Sequence, residues 1–182
     1  MRLTPTAIEG VTVVDLDLLS DDRGFFARAF DAAEFAAAGL TSQVAQASMS
    51  YNRSAGTVRG LHRLAPPHAE GKLVRCVAGA VADVAVDVRP GSPTFGEHVM
   101  VELSATNRRA LFVPPHVAHG YQALTDDVEM IYLCSVPYAP EGEDGYRHDD
   151  PAFGIEWPLP VRLVSPKDAA WPLLADREGP TP

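Results

Sequence analysis

Hydrophobic and polar positions alternate along most of this chain in short runs that glycine and proline cut apart. β-Type runs cover Val11 to Leu16, Gln43 to Ser50, Val58 to Leu64, Lys72 to Ala78, Ala80 to Val88, Val99 to Leu103, Ala110 to Val113 and Val128 to Cys134. Period-two alternation is what a strand with one buried face requires, and short strands at such even spacing predict a sandwich or barrel. One segment departs from the pattern. Asp31 followed three residues later by Glu34 forms a capping box, Phe35 and several alanines follow, and Gly39 supplies the stop, which predicts a short surface helix. The 16 prolines fall at loop positions such as Pro66-Pro67, Pro114-Pro115 and Pro158 to Pro160, where they punctuate strands rather than kink helices.

At 182 residues the chain reads as one domain, and its 46% hydrophobic and 21% charged residues are ordinary globular usage that argues against disorder. Residues 1–50 read as N-terminal strands and the short helix, 51–140 as a barrel core, and 141–182 as a C-terminal segment. No internal repeat or linker divides them, and the tail from Asp176 to Pro182 reads as frayed. The formal net charge of −9 disfavours nucleic-acid and anionic-membrane partners, which are held mainly by Lys and Arg. An anionic small molecule must then be held by a local cluster of cations. Cys76 and Cys134 are too few for a disulfide framework and read as reduced, buried strand residues. No signal peptide and no apolar run long enough to span a bilayer is present, so the cytoplasm is the expected location.

The words Gly56-Thr57-Val58-Arg59-Gly60-Leu61-His62 and Gly71-Lys72-Leu73-Val74-Arg75 put an imidazole, a lysine and two arginines on consecutive β-type segments. That combination suits an anionic substrate whose carbon must be deprotonated. A carbon next to a ketone is acidic only if a base takes its proton while a cation or acid steadies the enolate oxygen. His62 is the candidate base and Lys72 the candidate cation. Alternation puts Met130, Tyr132 and Cys134 on one strand face, from which Tyr132 can point into a barrel interior. Arg59 and His62 pose a difficulty, since their odd offset aims them at opposite faces of a regular strand. Gly60 between them is the place for a bulge that would bring both to one cavity. Taken singly, each has an ordinary explanation as a bonded barrel histidine, a solvated strand cation or a core tyrosine.

Flanking words extend the pattern. In order along the chain stand Asp22-Arg23-Gly24-Phe25-Phe26, Arg59-Gly60-Leu61-His62, Gly71-Lys72-Leu73-Val74-Arg75, Asp83-Val84-Ala85-Val86-Asp87 running into Gly91-Ser92-Pro93-Thr94-Phe95-Gly96, and Ala118-His119-Gly120. Asp149-Asp150-Pro151 with Ile155-Glu156-Trp157-Pro158-Leu159, then Ser165-Pro166-Lys167-Asp168, complete the set. Over nearly its whole length the chain resembles the dTDP-4-dehydrorhamnose 3,5-epimerase family, cupin-fold enzymes that act on nucleotide-linked 4-keto-6-deoxy sugars.

The resemblance implies a mainly β cupin fold, a double-stranded β-helix or jelly-roll barrel with short peripheral helices. It also implies an isomerase, free of metal and cofactor, that epimerises C3, or C3 and C5, of a dTDP-4-keto-6-deoxy-hexose through an enolate. His62 would be the base, and Asp168 the carboxylate that bonds the far ring nitrogen and fixes the imidazole. Tyr132 would be the acid that returns a proton on the opposite face, and Lys72 would stabilise charge on the C4 oxygen. Arg23, Arg59, His119 and Lys167 match positions at the nucleotide or its diphosphate. Phe26, Gln46 and Ser48 fall in further substrate-facing words, Tyr138 matches an aromatic placed against the base, and Glu143 a further substrate contact. Because the segment carrying Arg23 reaches across to the partner subunit in this family, a homodimer is implied.

The chain departs from the family's pattern at four places. Arg28 stands where Glu is common, Gln46-Ala47-Ser48-Met49-Ser50 replaces Gln-x-Asn-x-Ser, Arg63-Leu64 replaces Tyr-Gln, and His116 replaces a Gly. These changes leave His62, Asp168, Lys72 and Tyr132 whole and bear on the sugar, the nucleotide or the number of centres inverted. Metal-binding cupins carry a His-x-His pair, a Glu a few residues on and a distant His; here His62, His68, Glu70 and His119 hold no such pair, and Pro66-Pro67 separates the first two. Two other readings share the fold. A 3,4-ketoisomerase is generally shorter, lacks the Asp-Asp-Pro and Ile-Glu-Trp-Pro-Leu words, and would move the ketone to C3. A cupin that binds a nucleotide sugar without turning it over would show no proton exchange.

Overall fold

The computed structural model describes residues 1–177. In chain order its elements begin with strands β1 (Arg2–Pro5), β2 (Thr12–Asp15), β3 (Leu19–Asp21) and β4 (Gly24–Phe26) and helix α1 (Ala32–Ala37). Strands β5 (Gln46–Asn52), β6 (Val58–Leu64), β7 (Lys72–Ala78), β8 (Ala80–Val86) and β9 (His98–Ser104) follow. The remainder comprises β10 (Ala110–Val113), β11 (Ala118–Ala123), β12 (Val128–Cys134), β13 (Glu143–Gly145) and the one-turn helix α2 (Pro166–Ala169). Six strands form one sheet in the order β1-β2-β10-β7-β12-β5, five form a second in the order β13-β6-β11-β8-β9, and β3 pairs with β4 as a separate hairpin. The walls therefore take strands from beyond residues 51–140: β1 and β2 extend one sheet and β13 the other.

β6, β7, β10 and β12 have the bounds that alternation predicts. β11 is not announced by alternation: all its residues are buried, and its polar His119 and Gln122 stand three apart, out of step with a period of two. β3 and β4 are exposed throughout and three residues long, too short for a pattern to register.

Between the sheets, Val74, Cys76, Leu111, Val113 and Met130 of one meet Val81, Ala85, Leu103, Tyr121 and Ala123 of the other in the largest buried cluster. Alternate residues of the six-stranded sheet, among them Val14, Leu73, Ala110 and Phe112, face outward and are covered by Phe35 of α1. Burying such a ring contributes about 2–3 kcal/mol. The helix forms where its caps predict. The Asp31 side chain accepts from the N–H groups of Ala33 and Glu34, and the N–H groups of Gly39 and Leu40 return to the carbonyls of Ala36 and Phe35. Gly39 takes φ +73°, the left-handed turn open to a residue without Cβ. Glu34 does not complete the reciprocal box; it binds the Met1 amine at 3.0 Å.

Asp176 ends a 3-10 turn, and the Arg177 guanidinium lies 3.8 Å from the Tyr146 ring centroid and 3.0 Å from Asp144 Oδ1. Fraying from Asp176 onward is thus corrected for these two residues, Arg177 being tied down by stacking and charge and Asp176 by its N–H bond to the Leu173 carbonyl at 3.0 Å; the rest of that tail, 178–182, lies outside the described residues. No helix among the described residues is long and apolar enough to cross a membrane.

Candidate active site

Arg59 and His62 line the same cavity despite their odd offset on β6, and the strand register explains why. His119 on β11 stands opposite His62, yet Tyr121, two residues on, stands opposite Arg59, three residues back. β6 therefore carries one extra residue, a bulge that reverses the parity of the side chains. Gly60 lies within it. Its φ is +114°, and a Cβ there would lie 2.6 Å from Gly120 Cα and 2.7 Å from the His119 carbonyl oxygen. A Cβ at Gly120 would in turn meet the Arg59 carbonyl oxygen at 2.7 Å. Two facing glycines let the backbones touch at the bulge, which sets His62 and His119 side by side.

Asp168 approaches β6 from α2, whose N-cap Ser165 accepts the Asp168 N–H at 3.0 Å through Oγ. Asp168 Oδ1 lies 2.7 Å from His62 Nε2, and Oδ2 accepts the Gly60 N–H at 3.2 Å. Burial by itself raises this carboxyl, but the hydrogen bond and charge of His62, with the Gly60 N–H, outweigh it and hold Asp168 below its ordinary range. An ionised carboxylate accepts the Nε2 proton. The imidazole lone pair is then left on Nδ1.

Lys72 and Tyr132 come from β7 and β12, neighbouring strands of the other sheet. With Ser50, Arg59, His62, His119 and Tyr121 they line a cavity of about 200 Å³. Lys72 Nζ lies 2.8 Å from Glu70 Oε2, with the two side chains only 12% and 11% exposed. His119 Nε2 lies 3.0 Å from each Asp83 carboxylate oxygen. Burial pushes the Asp83 carboxyl up, while His119 and Lys72 draw it back. The Tyr132 hydroxyl lies 2.9 Å from Ser50 Oγ and 3.2 Å from the Tyr121 hydroxyl. Burial first, then the adjoining Tyr121, drives the Tyr132 phenol far above its ordinary value, and the Ser50 hydrogen bond works the other way. Tyr132 thus holds its proton at neutral pH, as a general acid must.

A second cavity of about 320 Å³ adjoins the first, shares Arg59 and His62 with it, and is lined also by Glu143, Lys167 and Asp168. At its rim Glu143 pairs with Lys167 and accepts from the Tyr138 hydroxyl at 3.1 Å. The Lys167 hydrogen bond, above all, holds the Glu143 carboxyl below its ordinary range. Gln46 Oε1 accepts the Tyr138 N–H at 2.8 Å, so Gln46, Tyr138, Glu143 and Lys167 are brought together. Ser48, exposed on the edge strand, stands opposite Tyr132 in the ladder.

Arg23 and Phe26 do not join this cleft within one chain. Both sit on the β3–β4 hairpin, where Arg23 bonds Asp21 with its side chain 90% exposed. Phe26 borders a separate hollow with Arg28 and Glu34. His68 faces Glu141 at 3.6 Å, away from Glu70 and His119 and their partners. No group of three or more His, Cys, Asp or Glu side chains comes together to hold a metal among the described residues. Ser50, Asn52, Glu70, Asp83 and Tyr121 escape the sequence reading as members of the site. Asp83 left a signal, as the one charge inside the apolar run Ala80–Val86, and Glu70 stands two residues before its partner Lys72; Ser50, Asn52 and Tyr121 are brought in by cross-strand contacts.

A family model described as dTDP-4-dehydrorhamnose 3,5-epimerase matches residues 5–176. A dTDP-4-dehydrorhamnose 3,5-epimerase of Sinorhizobium fredii is 43% identical over 177 residues, 97% of this chain and 91% of that protein. Among solved structures, NovW, a 4-keto-6-deoxy sugar epimerase from the novobiocin biosynthetic gene cluster of Streptomyces spheroides, is 40% identical with a TM-score of 0.92, covering 96% of this chain and 88% of that one. ChmJ, a 3′-monoepimerase from Streptomyces bikiniensis solved in complex with dTDP-quinovose, is 36% identical with a TM-score of 0.88, covering 94% of this chain and 87% of that one.

Proposed function

Because the chain belongs to the dTDP-4-dehydrorhamnose 3,5-epimerase family, we propose that it epimerises C3, or C3 and C5, of a dTDP-4-keto-6-deoxy-hexose. It is an isomerase with the family's mainly β cupin fold. One observation carries the chemical reading: His62 and Tyr132 reach one cavity from different sheets. Inversion needs a base on one face of the carbon and an acid on the other, and two opposed walls supply that arrangement.

His62 Nδ1 takes the proton from C3, and the electron pair of the broken C–H bond enters the enolate. Asp168 steadies the imidazolium through Nε2, and the Lys72 ammonium, anchored by Glu70, stabilises charge on the C4 oxygen. Tyr132 then gives its hydroxyl proton to the opposite face of the same carbon. Arg59 and His119 hold the nucleotide diphosphate beside this cavity, and Gln46, Ser48, Tyr138, Glu143 and Lys167 receive the nucleotide along the outer cleft. We assign Arg23 and Phe26 to the site of a partner subunit in a homodimer. Supporting this, Leu19 and Phe26 are each 69% exposed on the hairpin, an apolar surface that calls for a cover. A cytoplasmic location fits the two unpaired, buried cysteines.

Proton NMR of dTDP-4-keto-6-deoxyglucose with the enzyme in D2O tests the reading. Loss of the C3 and C5 signals with the ketone kept at C4 marks a 3,5-epimerase, and loss of C3 alone a 3-epimerase. A ketone moved to C3 marks a ketoisomerase, and binding without exchange a non-catalytic cupin; either contradicts the reading.

A further inference from the structure

Five side chains from four strands form one hydrogen-bonded line that ends at Tyr132. Arg59 Nε donates to Asn52 Oδ1 at 2.7 Å. A guanidinium has no acceptor, so the Asn52 oxygen must face Arg59 and its NH2 group must face the other way. There Nδ2 meets the Tyr121 hydroxyl at 3.0 Å, with the Val128 carbonyl at 3.5 Å. Tyr121, accepting from Asn52, has one proton to give, and Ser50 Oγ at 3.0 Å is nearer than the Asn52 oxygen at 3.3 Å, which Arg59 already occupies at 2.7 Å. Ser50 in turn lies 2.9 Å from the Tyr132 hydroxyl. The direction fixed at Arg59 thus passes along the line, each group accepting from the one before and donating to the next. With Ser50 donating to its oxygen, the Tyr132 proton has one protein acceptor left, the Tyr121 oxygen at 3.2 Å, which already accepts from Asn52; that longest contact around the Tyr132 hydroxyl is the one a substrate in the cavity can displace.

We propose that Ser50 and Tyr121 are positioning residues for the acid step, aiming the Tyr132 proton at the substrate carbon and donating a hydrogen bond to the phenolate left behind. The proposal rests on the epimerase reading given above. In the step it serves, the Tyr132 O–H bond breaks as the new C–H bond forms, the O–H electron pair stays on the phenolic oxygen, and after product leaves solvent returns a proton to Tyr132 and takes the one His62 removed. A phenol enclosed between two sheets is a poor place to leave a negative charge. One charge-assisted hydrogen bond from Ser50 is the compensation the structure supplies. Asn52 and Tyr121 are 2% and 1% exposed, so water cannot substitute freely for a missing member of the line. Because Arg59 also lines the outer cleft, the line joins the proposed diphosphate site to the acid.

The test separates proton removal from proton return. With dTDP-4-keto-6-deoxyglucose in D2O, exchange at C3 reports His62, whereas formation of the C3 epimer also requires Tyr132. Ser50→Ala is expected to slow epimer formation about tenfold or more, the weight of one hydrogen bond to a charged group, while C3 exchange stays near the wild-type rate. Tyr121→Phe is expected to shift the same ratio in the same direction, and Ser50→Thr, which keeps the hydroxyl, to restore it. A merely structural role would lower exchange and inversion together, and that result in Ser50→Ala, or no change in the ratio in either Ser50→Ala or Tyr121→Phe, overturns the proposal. Wild-type enzyme without any exchange would instead overturn the epimerase reading, and the line's role with it.

Discussion

In the cavity between the sheets, His62, His119 and Lys72 each face a carboxylate almost wholly removed from water: Asp168, Asp83 and Glu70 have side chains 6%, 0% and 11% exposed. At the periphery the same residue types pair differently. Arg23 and Asp21 are 90% and 50% exposed, Arg28 and Asp31 62% and 20%, and Lys167 and Glu143 52% and 26%. Exposed pairs contribute about 0–1 kcal/mol and exchange readily for the charges of a ligand. Buried pairs act in a low dielectric and hold the groups they join in position. The inner residues, the reacting His62 and Lys72 and the binding His119 alike, are therefore fixed before substrate arrives, and the outer pairs can release their partners when it does. Inner substitutions should register in kcat and outer ones in KM.

His62→Ala removes the inner base and carries the largest expected effect, a fall in kcat of about 10²–10⁴ with KM little changed. Asp168→Asn leaves the imidazole present but unanchored, so its loss of kcat should be smaller. It also has a pH signature. Because the folded-state pKa of Asp168 is depressed, its contribution to stability is fully present above the unfolded value of about 3.9 and is lost as pH falls through the lower folded value. The gap in thermal midpoint between wild type and Asp168→Asn should be widest near neutrality and close in strongly acid solution. Lys167→Ala, by contrast, should raise KM about two- to tenfold at unchanged kcat; a large loss of kcat there would erase the distinction between the two regions. Smallest of all, exhaustive chelation should leave turnover unaltered, and lost activity restored by a divalent cation would put a metal where the paired side chains stand.

The same contrast marks what could be read from the sequence. β6, β7 and β12 mix buried and more exposed positions, and β10, buried throughout, is read from its apolar run and the prolines that follow it. β11 carries the site's His119 and yet is silent, since its polar His119 and Gln122 are buried and stand three apart, out of step with a strand's period. The parity of Arg59 and His62 could be posed from sequence as a question about Gly60, but only the pairing of Tyr121 with Arg59 answers it. Asn52 and Tyr121 belong to the site through partners on other strands, a property of register that no local pattern encodes, whereas Asp83 left the signal of one charge in an apolar run and Glu70 stands two residues before its partner Lys72. Arg28, a departure from the family's pattern, is bonded to Asp31 at the α1 N-terminus at 2.8 Å, and Ser48 lies exposed beside the rim. Those changes touch the periphery and leave the inner pairs as they are.

The most direct measurement is solvent deuterium exchange at C3 compared with epimer formation in Tyr132→Phe and His62→Ala. If base and acid stand on opposed walls, Tyr132→Phe continues to exchange the C3 proton while forming little epimer, and His62→Ala does neither. Exchange at the wild-type rate in His62→Ala, or exchange abolished in Tyr132→Phe as completely as in His62→Ala, would contradict that division of labour.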